Sequence, residues 1–240
     1  MEFWNSKTYS ILKGISSLGW LLLAPAGEPQ VYTRNGKEAR LAESKIALVY
    51  FSATNVTHTY AGVMKEALLD HGCEVRLFDV TAHASRREPL PIDDFDGFIF
   101  GFPVFRDFAP SVINAWLPTL DGKGKRCALF LTYGGRTTGY AHFHTKLLLE
   151  QAGFHVLFSG EFLGRHSFNV GGWRILPDRP NAQDFALARE YAALAIERFS
   201  QDSTPLFRLQ KPFGYTELPR SKLRGIQFSK ELSSPLMGED

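Results

Sequence analysis

From Lys45 onward the chain alternates between two arrangements of apolar residues. Five short runs, Lys45–Phe51, Cys73–Phe78, Gly97–Phe102, Cys127–Tyr133 and Val156–Phe162, have strand length and are the strand candidates of a parallel sheet. Between them the apolar positions recur every three or four residues. Thr57–His71 carries Tyr60, Met64, Ala67 and Leu68 on one helical face. Pro110–Leu120, Tyr140–Ala152 and Ala182–Ser200 behave alike, the last through Phe185, Ala188, Ala192, Ala195 and Phe199. Strands alternating with helices predict βαβ units, hence an α/β domain over 45–200 built on a parallel sheet.

The flanks read differently. In the N-terminal extension, 1–44, Ile11, Ile15, Leu18 and Leu22 form a stripe with Ser10, Lys13 and Ser17 opposite, and Ala24-Pro-Ala-Gly-Glu-Pro29 stops any helix. The apolar run Ile15–Ala26 is too short to span a bilayer. Lys7, Lys13 and Ala24-Pro-Ala26 also fit the ends of a secretory leader. The closeness of Lys13 to the apolar run favours an amphipathic helix that docks on the domain, a partner or a membrane surface. After Ser200 the prolines 205, 212, 219 and 235 predict an extended arm over 201–240. Within it, 206–230 sets Arg208, Lys211, Arg220, Lys222, Arg224 and Lys230 against Glu217 alone. That strip is a solvated tail or a docking strip for an acidic protein face or an anionic membrane.

Composition narrows the classes. At 240 residues and 44% hydrophobic content, one substantial core is expected. Cys73 and Cys127 fall beside predicted strands, as small buried hydrophobes of a reduced compartment do. Two cysteines cannot supply the four thiolates of an iron–sulfur cluster. The net charge of +2 gives no strong field of one sign, and nucleic acid is not an expected partner.

The chemistry concentrates where the first strand ends. Lys45-Ile-Ala-Leu-Val-Tyr-Phe-Ser-Ala-Thr-Asn-Val-Thr57 empties from a strand into a loop of small residues and then a helix. Such a junction points unpaired N–H groups and the positive end of the helix dipole at one spot, which favours an anion. Ser52, Thr54 and Thr57 add three hydroxyls. Neither G-x-x-x-x-G-K-[ST] nor G-x-G-x-x-G is present, so the loop suits a terminal monoester phosphate better than a triphosphate with magnesium.

Ser52-Ala-Thr-Asn-Val-Thr57 resembles the flavodoxin phosphate loop, Ser/Thr-x-Thr-Gly-x-Thr. With Gly101-Phe-Pro-Val-Phe-Arg106, Thr132-Tyr-Gly-Gly135, Gly164-Arg-His-Ser-Phe-Asn169 and Pro177-Asp-Arg-Pro180, the stretch 45–200 is most similar to the flavodoxin half of ferredoxin-fused flavodoxins. Asn55 and Val56 depart from the family's glycine and frequent asparagine; Asn best tolerates a left-handed backbone. The resemblance implies a doubly wound, flavodoxin-like five-stranded parallel sheet of order 2-1-3-4-5, with flavin mononucleotide (FMN) at the carboxyl ends of strands 1, 3 and 4. It assigns Ser52, Ala53, Thr54, Asn55, Val56 and Thr57 to the phosphate. Pro103, Val104, Phe105 and Arg106 are assigned to one side of the ring, and Thr132, Tyr133, Gly134, Gly135 and Tyr140 to the other. Phe105 is the stacking candidate, with Phe102 behind it, and Tyr133 or Tyr140 would cover the outer face. Phenylalanines at a strand end also serve as plain core, and Thr132–Tyr140 also reads as an ordinary glycine-rich loop. Arg136 would place positive charge near the reduced flavin.

No residue is assigned a catalytic role and no metal site is expected. His166 reads as a loop residue, and His142, His144 and His155 have no companions at ligand spacing. Asp93, Asp94 and Asp96 read as a solvated strand-entry cluster, and no Gly-x-Ser-x-Gly elbow is present. The function expected is FMN-dependent electron transfer in the cytoplasm, or peripherally on a membrane or membrane complex. The module would dock on a larger redox protein, such as a separate ferredoxin or iron–sulfur protein, through 1–44 and 206–230. The alternatives are a flavodoxin-fold interaction subunit with an empty or degenerate flavin site, and an FMN-dependent oxidoreductase acting on quinone or another small substrate.

Overall fold

The structure, a computed structural model, describes residues 44–167, 169, 174–200 and 205. The docking helix expected before Ser44 and the basic strip over 206–230 lie outside the described residues. All described elements belong to the unit Glu43–Asp240.

Five strands, β1 (Lys45–Tyr50), β2 (Glu74–Asp79), β3 (Gly97–Pro103), β4 (Arg126–Tyr133) and β5 (His155–Leu163), form one sheet of order β2-β1-β3-β4-β5. Every pairing is parallel, with Ile46 opposite both Val75 and Gly97, and Arg126 opposite both Gly97 and His155. Four helices accompany it: α1 (Val56–Asp70), α2 (Ser111–Trp116), α3 (Ala141–Gln151) and α4 (Ala182–Ser200). The expected helix over Pro110–Leu120 is shorter than its pattern. Pro118 has no N–H to continue the α ladder, and Leu117–Thr119 tightens into a 3-10 turn.

Alternation along the strands splits the core into two layers. Ile46, Leu48 and Tyr50 of β1 pack with Tyr60, Met64 and Leu68 of α1 and with Ala188, Tyr191 and Ala195 of α4. Ala47 and Val49 point the other way, to Ile113 and Trp116 of α2 and Leu148 and Leu149 of α3. β3 divides its sides unequally. Phe98, Phe100 and Phe102 stack along the α2–α3 face, while the opposite face shows Gly97, Ile99 and Gly101. A Cβ on Gly101 would lie 2.0 Å from the Phe130 ring, and one on Gly97 2.4 Å from Phe199, so these glycines admit rings of β4 and α4. β2 is the partly exposed edge strand, whereas β1, β3 and β4 are almost wholly enclosed. Cys73 and Cys127 are buried free thiols, and burial pushes the Cys127 thiol well above its usual range.

This arrangement brings the loops after β1, β3 and β4 together at one edge of the sheet. The chain order reverses there: β1 leads outward to β2, and β3 lies on its other side.

Candidate ligand-binding site

The loop after β1 is built around one left-handed residue. Asn55 has φ 68° and stands immediately before α1. Its carbonyl accepts the Thr59 N–H at 3.0 Å and the Thr59 hydroxyl at 2.9 Å. The Ser52 Oγ accepts the His58 N–H at 3.0 Å, so two of the helix's first N–H groups are satisfied locally. The N–H groups of Val56 and Thr57 have no acceptor among the described residues. Ala53, Thr54 and Asn55 are exposed above them.

The three hydroxyls expected at this loop are placed differently. Ser52 is committed to the helix cap, and its own N–H donates to Thr81 Oγ1 at 2.9 Å. Thr57 is 1% exposed, and its hydroxyl lies 2.8 Å from that of Thr132 at the end of β4. Thr54 is the exposed one of the three. The cradle is therefore mainly backbone. Val56 packs its side chain inward against Gly164, where a Cβ would come within 2.4 Å of Val56 Cγ1. This position thus replaces a polar side chain with a packing contact while keeping its N–H at the loop.

The loop after β3 is a tight turn in which Phe105 and Phe108 exchange backbone hydrogen bonds at 2.8 and 3.3 Å, with Arg106 at φ 59° between them. Pro103 closes β3, and the Val104 N–H donates to the Thr132 carbonyl at 2.8 Å. Phe102 is core. Phe105 is 37% exposed and meets Phe51 edge to face at 6.4 Å.

The loop after β4 is held from several sides. A Cβ on Gly134 would lie 2.4 Å from the His166 ring, one on Gly135 2.5 Å from Leu176, and one on Gly139 2.4 Å from Asp107. The close approaches these glycines permit are thus to neighbouring protein loops. The Tyr140 N–H donates to the Asp107 carbonyl at 2.8 Å, and the Tyr140 ring stands 5.5 Å from Phe108, joining the loops after β3 and β4. Arg136 is exposed.

Tyr133 turns its hydroxyl to Glu161 of β5, at 3.2 Å, rather than lying open. Glu161 also accepts from the Thr138 hydroxyl at 3.1 Å and from His142 Nε2 at 3.2 Å, while His142 Nδ1 meets Ser159 Oγ at 2.5 Å. Burial alone would raise the Glu161 carboxyl, but the bond and charge of His142 and the two hydroxyls outweigh it and hold it below its usual range. Burial, with Glu161 beside it, pushes Tyr133 up to about 12. A second polar chain lies beside the loop after β1. Tyr50 is raised to about 12 by burial and by the Asp79 charge to which it is hydrogen-bonded, and His58 Nδ1 stands 2.8 Å from its hydroxyl. Neither cluster was expected from the sequence. The available signal was Glu161, a carboxylate that with Ser159 interrupts the apolar run Val156–Phe162.

Between the start of α1 and the loop after β5 lies a depression of about 330 Å³, lined in part by Thr54, Asn55, Thr59, Arg165 and Arg179. Arg179 forks onto Asp184 of α4. Arg165 is exposed and makes no ion pair among the described residues. No group of three or more His, Cys, Asp or Glu side chains is placed to hold a metal among the described residues. No helix among them is long and apolar enough to cross a membrane.

The fold is flavodoxin-like. Parallel pairing in the order β2-β1-β3-β4-β5, with helices on both faces, establishes this. No family model matches the sequence, and no curated protein matches it. Among solved structures, the flavodoxin-like unit is similar to a flavodoxin from the domain Archaea at 15% identity. That match covers 65% of this chain and 99% of the other, with a TM-score of 0.48. It is also similar to the two-electron reduced flavodoxin of Megasphaera elsdenii, at 21% identity over 62% of this chain and 99% of that one, with a TM-score of 0.42. A flavodiiron core from Synechocystis gives 21% identity over 65% of this chain and 36% of that one, with a TM-score of 0.48.

Proposed function

We propose that this flavodoxin-like domain binds FMN and transfers electrons, as the flavodoxin half of ferredoxin-fused flavodoxins does, docking in the cytoplasm on a larger redox protein. The observation that carries the reading is the pair of unpartnered N–H groups of Val56 and Thr57 at the start of a 15-residue helix. They lie beneath an exposed loop with a free hydroxyl at Thr54 and no lysine. A terminal phosphate satisfies those donors and meets the helix dipole without a metal. Thr54, Val56 and Thr57 would hold it, the last two through backbone. On the ring side the exposed Phe105 and the adjoining Tyr140 offer aromatic surface. When bound, the flavin supplies the redox chemistry, accepting and releasing electrons at its ring.

Titration of the apoprotein with FMN and with riboflavin, followed by flavin fluorescence, tests the reading. The phosphate cradle predicts that FMN binds at least about tenfold tighter than riboflavin, equivalent to about 1.4 kcal/mol. Equal affinities would remove the phosphate site from the argument.

A second reading rests on the use of Ser52 as a helix cap, on the inward hydroxyl of Thr57 and on the protein side chains filling the space beside Gly134, Gly135 and Gly139. These features suit a flavodoxin-like scaffold that takes no flavin and serves as an interaction subunit. Failure of both flavins to bind would favour it.

A further inference from the structure

The loops that follow β3, β4 and β5 carry Arg106, Arg136, Arg165 and Arg174, all exposed, and no lysine. Arg136, Arg165 and Arg174 have no carboxylate partner among the described residues. Opposing them at the carboxyl end of the sheet are Asp107, partly buried against Gly139, and the exposed Asp178, with the exposed Asp79 and Glu88 farther along, after β2. At the other end, where strands begin, Asp93, Asp94 and Asp121 are exposed and the neighbouring cations are mainly lysines. The rim beside the candidate ligand site is thus positive and built from arginine.

We infer that this rim docks an acidic protein face, with the exposed Phe105 as its apolar centre. The inference rests on the electron-transfer reading above and specifies the partner of that same end of the domain.

Three arguments support it. First, the side chain is arginine throughout. Its planar fork pairs two oxygens of a carboxylate and remains charged at any working pH, whereas lysine offers a hydrated point charge. Second, the arginines are spread. β3, β4 and β5 are neighbours, so the loops that carry Arg106, Arg136 and the pair Arg165 and Arg174 leave the sheet about 5 Å apart and about 10 Å across in all. A single phosphate cannot span that row, but a line of Asp and Glu side chains can. Third, Phe105 keeps an exposed ring beside Arg106, and an aromatic group among arginines is the composition of an interface centre. A rim of this sign attracts acidic partners and repels basic ones before contact, so salt governs the encounter.

The test uses the full-length protein, with and without added FMN, and flavin content is read separately by absorbance. Binding is measured by interferometry to an acidic [2Fe–2S] ferredoxin, to a basic cytochrome c and to vesicles containing phosphatidylserine. The expected result is ferredoxin binding that weakens at least about tenfold between about 50 and 200 mM salt, with no binding to cytochrome c. The double charge reversal Arg136→Glu/Arg174→Glu should abolish ferredoxin binding and create affinity for cytochrome c. Arg136→Lys/Arg174→Lys should retain the salt dependence at reduced affinity.

Ferredoxin binding unaffected by the charge reversal would place the contact elsewhere on the chain and overturn the inference. So would binding to cytochrome c by the unaltered protein, or vesicle binding without ferredoxin binding, which would make the rim a membrane surface. Ferredoxin binding by a protein that takes up no flavin would uphold the docking face and remove the FMN reading, so the two fail separately.

Discussion

A single backbone angle decides whether the loop after β1 can present its N–H groups together. Asn55, at φ 68°, holds the chain left-handed immediately before α1, and its carbonyl anchors Thr59 twice. Glycine adopts that region without cost and asparagine tolerates it, whereas a Cβ without a compensating side chain raises its energy by roughly 1–2 kcal/mol. Asn55→Ala should therefore destabilise the domain by about 1 kcal/mol in urea unfolding, and Asn55→Gly should stay within a few tenths of the parent. FMN affinity should follow the same order. An alanine variant as stable as the parent would mean that the loop relaxes to another conformation and that the fan of N–H groups is not fixed. Much of this loop was legible in the sequence because one strand, one cluster of small residues and one helix are contiguous. The inward hydroxyl of Thr57 could also have been read. It stands three residues before Tyr60 and seven before Met64, on the stripe that α1 buries.

At the level of elements, Glu161 ties three pieces together. It receives Tyr133 from the end of β4, Thr138 from the loop after it and His142 from the first turn of α3. One carboxylate thereby closes both ends of the loop assigned to the flavin. For Glu161 to accept from His142 Nε2, that nitrogen must carry the proton, which leaves Nδ1 to accept from the Ser159 hydroxyl when the ring is neutral. The carboxyl is held below its ordinary value of 4.5, so the unfolded chain takes up its proton first as pH falls. The clamp therefore contributes its full stability above about pH 4.5 and loses it as pH drops through the lower folded value. Glu161→Gln should cost about 1–3 kcal/mol near neutrality, through weakened bonds and a mismatched donor. The gap from the parent should then shrink below pH 4.5, because Gln does not titrate. A gap constant down to pH 3 in chemical unfolding would show that the charge of Glu161 does not hold the clamp. The sequence concealed this cluster because Tyr133, Thr138, His142, Ser159 and Glu161 are scattered. Only the β4–β5 register and the first turn of α3 bring them together. The strands themselves were legible to within a residue or so: burial on both faces leaves nearly unbroken apolar runs in β1, β3 and β4, and the edge strand β2 shows alternation instead. The helix over Pro110–Leu120 was overestimated because its periodicity continues through Pro118, where the α ladder cannot.

Across the whole domain, the sheet order sets a hierarchy of stability. β1, β3 and β4 have a neighbour on both sides and a helical layer on both faces, so their amides open only when the domain unfolds. β2 has one strand neighbour and a burial pattern exposed or partly exposed along its length. In native-state hydrogen exchange, Leu48, Ile99, Phe100, Leu129 and Phe130 should be among the slowest amides, with a denaturant dependence equal to that of global unfolding. Glu74–Asp79 should exchange through smaller openings with a shallower dependence. The loops after β1, β3 and β4 should open most readily, as ligand-binding segments on a rigid sheet do. FMN should then slow Val56 and Thr57 selectively, because theirs are the N–H groups without a partner in the protein. Protection of β2 equal to that of β3 would mean that its free edge is covered by something beyond the described elements. Slow exchange at Val56 and Thr57 before any flavin is added would mean that the helix start already has its acceptor. The case for a phosphate there would then fail at its source.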